Sequence, residues 1–290
     1  MNNDSSTHFT PQMTADGSRT FFSQEFGELF HSYHGAKQEA QFKFVQPTQL
    51  ALKAQQSVVY LLDICYGLGY NTAAALTAIW QVNPKCKIEW IGLESDITVC
   101  KAAIDRNLLD EFPASIQKIL ARCAIDLSLK IDRFNGQLLV GDARQTIQKV
   151  RQLGFLADAI FLDPFSPPNC PQLWTVEFLE RVANCLKPSG SLATYSCSAA
   201  VRTALIEAGL HIGSTSPVGR KSPGTVASFS AVDLPPLSLQ EREHLKTRAA
   251  IPYRDPSLTD TAETILQRRQ REQQASSLEP TSRWKKRWVG

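Results

Sequence analysis

Asp63-Ile64-Cys65-Tyr66-Gly67-Leu68-Gly69 is the stretch on which the fold turns. It closes the short apolar run Val58-Val59-Tyr60-Leu61-Leu62 and precedes Asn71 to Gln81, where Ala75, Leu76, Ile79 and Trp80 recur on one side of a helix. A buried strand, a glycine turn and a helix in that order form the unit in which bare backbone comes close to a ligand. A turn of this kind can also be purely structural.

Working outward, three more apolar runs bounded by turn or charged residues read as buried strands: Ile88 to Leu93, Gln137 to Val140 and Ala159 to Leu162. Helical patterns lie between them, over Asp96 to Leu109 and Ala143 to Leu153. Thr175 is placed to cap a helix carrying Phe178, Leu179, Val182 and Leu186, which Lys187-Pro188-Ser189-Gly190 ends. Ser191 to Tyr195 follows as a strand and Ser198 to Ala208 as a helix. Two edge strands are read near Leu210 to Gly213 and Val226 to Val232. Strands alternating with helices give a doubly wound, mostly parallel sheet of seven strands with right-handed crossovers. We therefore expect an α/β domain over residues 55–232, a small β-rich extension over 1–54, where aromatics alternate in Thr20-Phe21-Phe22-Ser23 and Gln41 to Val45, and a helical basic tail over 233–290 with Pro235-Pro236 as its hinge.

The carboxyl ends of the strands carry the candidate site. The spacing D-x-x-x-G-x-G lacks the third glycine of the dinucleotide fingerprint, which suits S-adenosylmethionine (SAM) better than a nicotinamide dinucleotide. Glu94, at the end of the second strand, is positioned to accept hydrogen bonds from ribose hydroxyls, or to cap the next helix. Gly141-Asp142-Ala143 ends the third, where a carboxylate suits an adenine amine or a helix N-terminus. Taken together, Asp63, Gly67, Gly69, Asn71, Glu94, Gly141, Asp142 and Ala143 form the expected SAM site, because open α/β sheets bind ligands in that crevice. The fourth strand ends in Asp163-Pro164-Phe165-Ser166-Pro167-Pro168. An amine acceptor arrives protonated, so a carboxylate there attracts and orients it and a base takes its proton before the nitrogen attacks. Asp163 is the expected catalytic residue, with a proline-rich turn as the plainer alternative.

The bulk composition is compatible with this reading. In 290 residues, 43% hydrophobic and 20% charged, the longest apolar runs are too short to cross a bilayer, and the start MNNDSSTHF has no secretory pattern, so we expect a cytoplasmic protein. The seven cysteines stand singly and read as reduced, mostly buried thiols. The net charge of +3 is concentrated in the tail, which holds 11 Lys/Arg against 7 Asp/Glu from Leu234 onward. Arg283-Trp284-Lys285-Lys286-Arg287-Trp288 suits a phosphate backbone with stacked bases, an ordinary solvated end, or a dimerisation arm.

The chain resembles the methyltransferase domain of the MnmC-type tRNA modification enzymes over roughly residues 14–231. The resemblance rests on Asp16-Gly17-Ser18 with Thr20-Phe21-Phe22, on Cys65 to Asn71, on Phe161 to Pro167, and on Leu173-Trp174-Thr175. Further along it rests on Leu186 to Gly190 with Leu192 to Tyr195, on Val201-Arg202 and on Val218-Gly219-Arg220-Lys221. It implies a class I Rossmann-like fold and methyl transfer from SAM to the 5-aminomethyl nitrogen of wobble (2-thio)uridine in tRNA. The familiar bifunctional form of that family carries a fused flavin-dependent oxidase domain; this sequence has no second glycine fingerprint, so we expect a stand-alone enzyme, monomeric, with no metal and no flavin. Phe165, Arg220 and Lys221 are then the substrate-binding candidates, while Glu39 and the Phe42 to Val45 stretch help close the site. The competing readings are a polyamine-synthase-like aminopropyltransferase, a methyltransferase acting on a small amine, and a catalytically silent RNA-binding or partner-binding module.

Overall fold

The computed structural model describes residues 9–217 and 222–288. Arg220 and Lys221, with the rest of their motif, lie outside the described residues.

The central sheet has eight strands: β1 (Val58–Ile64), β2 (Lys87–Glu94), β3 (Ser128–Ile131), β4 (Phe134–Val140), β5 (Ala157–Leu162), β6 (Leu186–Thr194), β7 (His211–Ser214) and β8 (Thr225–Ser228), in the order β7-β8-β6-β5-β1-β2-β4-β3. The five central strands β4, β2, β1, β5 and β6 run parallel, and β8 returns antiparallel between β6 and β7. The seven expected strands are all present. The eighth, β3, is a short hairpin partner of β4 at the open edge; it is largely exposed, so it carries no apolar run to announce it.

Strands buried on both faces must be apolar throughout, and β5 is buried at all six positions. The helices α1 (Tyr70–Val82), α2 (Ile97–Asp105) and α3 (Ala114–Asp126) cover one face; α4 (Ala143–Gln152), α5 (Val176–Ala183) and α6 (Ala199–Glu207) cover the other. On the second face the amphipathic α5 buries Phe178, Leu179 and Val182; each such side chain contributes about 1.5–3 kcal/mol. The Thr175 hydroxyl caps α5 by accepting the Phe178 amide at 3.3 Å. The helix α3 has no counterpart in the sequence reading. The cysteines behave as small core residues, five of them buried.

The amino-terminal segment departs from expectation. It forms two minimal hairpins, Gln12–Met13 with Arg19–Thr20 and Phe22–Ser23 with Glu28–Leu29, and then becomes helical. Ala40–Val45 is a π-helical turn continuing Ala36–Glu39, not a strand. The alternating aromatics of that stretch misled: wound into a helix, Ala40, Phe44 and Val45 are buried, and the Phe44 ring meets Phe161 of β5 edge-on at 5.6 Å.

The tail is helical, with α7 (Leu239–His244), α8 (Ala262–Ala275) and α9 (Thr281–Trp288), and it is packed rather than hinged. Pro235 accepts the Ser214 amide at 3.1 Å, Tyr253 accepts the Val176 amide at 3.1 Å, and Tyr253, Leu258 and Ile265 join the core beside α5. Arg202 of α6, 2% exposed, pairs with Glu241 of α7 at 2.8 Å. Among the described residues no helix is long and apolar enough to cross a membrane.

Candidate active site

The order in which the chain adds strands to the sheet reverses between β1 and β5, and a crevice opens where the connections from their carboxyl ends part. Asp63, near the end of β1, is fully buried; its Oδ2 accepts the Thr72 hydroxyl at 2.6 Å, while its Oδ1 has no partner. Burial and, to a lesser degree, the nearby Glu94 raise this carboxyl to about 7, against the Thr72 bond that lowers it.

The turn that follows is built on left-handed backbone. Gly67 and Gly69 have φ of 57° and 87°. A Cβ on Gly69 would stand 2.6 Å from the Tyr66 hydroxyl, so the turn closes only on glycine there. A Cβ on Gly67 would reach to 3.5 Å from the ring of Phe30 and fill the gap between the turn and the segment above it. The Gly67 amide donates to Glu94 Oε2 at 2.8 Å, and Glu94 Oε1 accepts the Asp96 amide at 3.0 Å. Glu94 is therefore fixed by two backbone groups with lone pairs left over, and burial raises its carboxyl above the usual range.

Across the crevice, Asp163 is held from two sides. Its amide donates to Ile64 at 3.1 Å, and its Oδ2 accepts the Asn71 carboxamide at 2.8 Å. Burial, with Glu39 and Asp63 nearby, pushes its carboxyl well above the ordinary carboxylate range, and only the Asn71 bond opposes this. The following Pro164 and Phe165 are pinned by their carbonyls, one accepting the Tyr195 hydroxyl at 2.9 Å, the other the Trp174 indole at 2.8 Å.

A cavity of about 400 Å³ joins these parts. Cys65, Gly67, Glu94 and Ser95 line it together with Asp163 to Ser166. The amino-terminal hairpin forms its roof: Phe26 stacks on Phe165 at 4.3 Å, and Glu28 accepts the Ser166 amide at 3.0 Å as well as the Ser166 hydroxyl. Glu28, Glu39, Glu94 and Asp163 line the cavity with the rings of Phe26, Phe30, Tyr33, Phe165 and Tyr195, and among the described lining residues there is no lysine or arginine. Carboxylates and ring faces both attract cations, so the cavity suits a positively charged ligand.

Of the residues expected from sequence, Gly67, Glu94, Asp163 and Phe165 meet in this cavity. Asp63, Gly69 and Asn71 lie behind its lining, and Asn71 reaches Asp163. Gly141, Asp142 and Ala143 do not line it. Asp142 caps α4 through the Arg144 amide at 2.8 Å and pairs with the Arg144 guanidinium at 2.7 Å. Sequence reading missed Glu28, His31 and Ser95, which carry no motif of their own; Tyr195 lay in a noted motif without a role. At the far end of the chain, Trp284 stacks on His244 at 4.1 Å and donates to Gln240, so it is spent on holding the tail together and is not free to stack on bases.

A SAM-sized ligand fits these residues, since the glycine backbone, the part-free Glu94 carboxylate and the opening that a Cβ at Gly67 would fill face one cavity. Comparison with known proteins agrees. Residues 102–230 match the model of a family described as S-adenosyl-L-methionine-dependent methyltransferase. The crystal structure of MnmC2 from Aquifex aeolicus superposes with a TM-score of 0.81 at 35% identity, over 92% of this chain and 86% of that one. An uncharacterized protein of Methanocaldococcus jannaschii is 30% identical over 89% of this chain and 70% of its own length. The tRNA 5-methylaminomethyl-2-thiouridine biosynthesis bifunctional protein MnmC of Ralstonia nicotianae is 28% identical over 76% of this chain. The chain spans only 34% of that bifunctional protein.

Proposed function

Because this chain belongs to the MnmC-type family of S-adenosyl-L-methionine-dependent methyltransferases, we propose that it methylates the 5-aminomethyl nitrogen of wobble (2-thio)uridine in tRNA, giving the 5-methylaminomethyl group. The observation that carries the reading is the single cavity in which Gly67 and Glu94, residues suited to a cofactor, meet the acidic and aromatic side chains of Asp163, Glu28 and Phe165. The tRNA assignment is supported by the likeness to proteins named for that modification. The protein then works in the cytoplasm as a monomer, with residues 55–232 as its catalytic domain, 1–54 as the roof-bearing extension and 233–290 as the packed tail.

In this reading Gly67 and Glu94 would hold SAM, whose sulfonium would supply an electrophilic methyl group. Asp163 and the neighbouring carboxylates attract the ammonium form of the acceptor, and Phe26, Phe30 and Phe165 keep water from the reacting nitrogen. Asp163, whose carboxyl holds a proton unusually well, accepts one from the ammonium, which frees the lone pair that attacks the methyl.

The test is incubation with methyl-labelled SAM and two tRNA pools, one carrying 5-aminomethyluridine derivatives and one lacking them, with Asp163→Asn as control. Label appearing as 5-methylaminomethyl(2-thio)uridine in the first pool alone is the expected result. Absence of label from both pools, while SAM still binds, overturns the tRNA assignment and directs attention to small amines.

A further inference from the structure

Asn71 opens α1 immediately after the glycine turn and is 3% exposed. Its Nδ2 donates to Asp163 Oδ2 at 2.8 Å, and its Oδ1 is buried with no hydrogen-bond partner. A buried carboxamide oxygen without a donor is costly, so its persistence asks for a reason. The amide end of Asn71 favours the charged form of Asp163, because a carboxylate oxygen is a stronger acceptor than the carbonyl oxygen of the acid. Its oxygen end, after a half-turn of the carboxamide, can accept a hydrogen bond only from the protonated form.

We propose that Asn71 is a positioning residue for Asp163 whose carboxamide turns between its two ends, so that Asp163 has a hydrogen-bond partner both as carboxylate and as acid. The inference rests on the role given to Asp163 above and deepens it. In the carboxylate state Asn71 donates and Asp163 faces the arriving ammonium. One ammonium N–H bond breaks and an Asp163 O–H bond forms, the N–H electron pair remaining on nitrogen as the attacking lone pair. The carboxamide turns, and its oxygen accepts the new acid proton. The nitrogen–methyl bond then forms as the methyl–sulfur bond breaks with its electrons going to sulfur. The proton on Asp163 later leaves to solvent, which restores the first arrangement.

The other groups facing Asp163 do not supply this. Glu39 and Asp63 act on it through charge and favour the protonated form. Cys65 and Tyr195, also within its field, are held neutral by burial. Glu28 is engaged by Ser166, and Glu94 by Gly67 and Asp96. His31 is lowered to about 4 by burial and stays uncharged, and Cys170 is raised to about 12. Among the described residues, Asn71 is thus the side chain that hydrogen-bonds the Asp163 carboxylate.

The test uses Asn71→Leu, which keeps the volume and removes both ends, with Asn71→Ala, which also removes both ends and adds no charge, as the second variant should leucine prevent folding. The Asp163 carboxyl carbon is titrated by NMR in the ligand-free protein, alongside the pH profile of kcat and the affinity for SAM. Losing both ends costs the carboxylate more than the acid, a charge-assisted bond being about twice as strong as a neutral one, so the Asp163 titration and the acid limb of kcat are expected to move up together by about half to one pH unit, with SAM affinity changed less than about threefold. An unmoved Asp163 titration in a folded variant overturns the proposal, even if activity has fallen. Because that titration needs no acceptor, failure of the tRNA assignment shows separately, as a wild-type protein that methylates neither pool.

Discussion

The amide of Gly67 points into the carboxylate of Glu94, 2.8 Å away, joining the first glycine of the turn after β1 to the last residue of β2. The bond fixes the turn and the acidic wall of the cavity as one unit. Replacing Glu94 by Gln puts an NH2 group among backbone donors and leaves one of them unpaired. Calorimetric titration of Glu94→Gln with SAM is expected to show affinity reduced about tenfold or more, with the far-UV circular dichroism unchanged. Wild-type affinity would mean that Glu94 merely braces the turn.

Glu28 ties the roof to the floor through Ser166 and Asn169. Glu28→Ala removes the acceptor for all of these donors. Amides over residues 22–30 are expected to exchange with deuterium at least tenfold faster, and activity to fall more than SAM affinity does. Unchanged exchange in that segment would show that the rings of Phe26 and Phe30 on Phe165, with the Asn169 bond to the Phe26 carbonyl, hold the hairpin without Glu28.

Asp63 bears on stability in the opposite direction from a salt-bridged carboxylate. Its pKa rises from 3.8 to about 7 on folding, so the native state binds the proton more tightly than the unfolded one. Its contribution to stability is complete at low pH, declines as pH rises from about 4 to about 7, and is level above that. Asp63→Asn, which removes the ionisation, is expected to be the more stable protein at pH 8, by a few kcal/mol at most, a tenfold difference in proton affinity being worth about 1.4 kcal/mol. Parallel urea melts at pH 5 and pH 8 decide it: a gap between the two proteins that does not widen with pH contradicts the assignment.

Glu241 has the usual sign. Hydrogen bonds from Ser214, Ser238 and Arg202 outweigh its burial and hold it at about 2, so the stability it supplies is present above about 4.5 and is lost as pH falls toward 2. Glu241→Ala strands the buried Arg202 guanidinium and is expected to cost about 3–5 kcal/mol in denaturant melts. A loss below about 1 kcal/mol would mean that Ser214, Thr225 and the Gly224 carbonyl satisfy Arg202 without Glu241.

The tail offers a separate test of the tRNA reading. Arg271, Lys285 and Lys286 are exposed, whereas Arg287 is already paired with Glu279 and Glu243. If the first three meet phosphates, replacing each by Gln is expected to lower the slope of log affinity against log salt by about one, equally for all tRNAs. A slope that does not change assigns them to solvent. Deleting the tail whole is the poorer experiment, because it also takes Tyr253, Leu258 and Ile265 out of the core and uncovers α5.

The strands around the crevice were legible because burial on both faces leaves them apolar from end to end, as in Ala157 to Leu162. The glycine turn and the acidic strand ends were legible because a parallel sheet brings those ends together wherever the loops go. What sequence could not show is which of two available partners a side chain takes. Asp142 was read both as a cofactor ligand and as a helix cap, and its bonds in the structure are those of the cap. Asn71 follows the glycine turn and is expected at the cofactor; its bond to Asp163 across 92 residues is one that no local pattern announces. Gln41 to Val45 alternates like a strand, but its burial is decided by a β5 ring 117 positions from Phe44, and no local period carries that information. Glu28 belongs to the same class of contact.

The roof and floor of the cavity meet across 138 residues of chain, Glu28 to Ser166, with β1, β2 and β4 all lying between. Closing so long a loop is entropically costly and slow, so the pocket is among the last features to form as the chain folds. A chain emerging during synthesis has its glycine turn and acidic strand end in place well before it has a place for the acceptor. Acceptor binding in a refolding experiment should therefore lag behind the recovery of helical signal, and a ligand that spans both walls acts as a late clasp, slowing unfolding far more than it speeds folding.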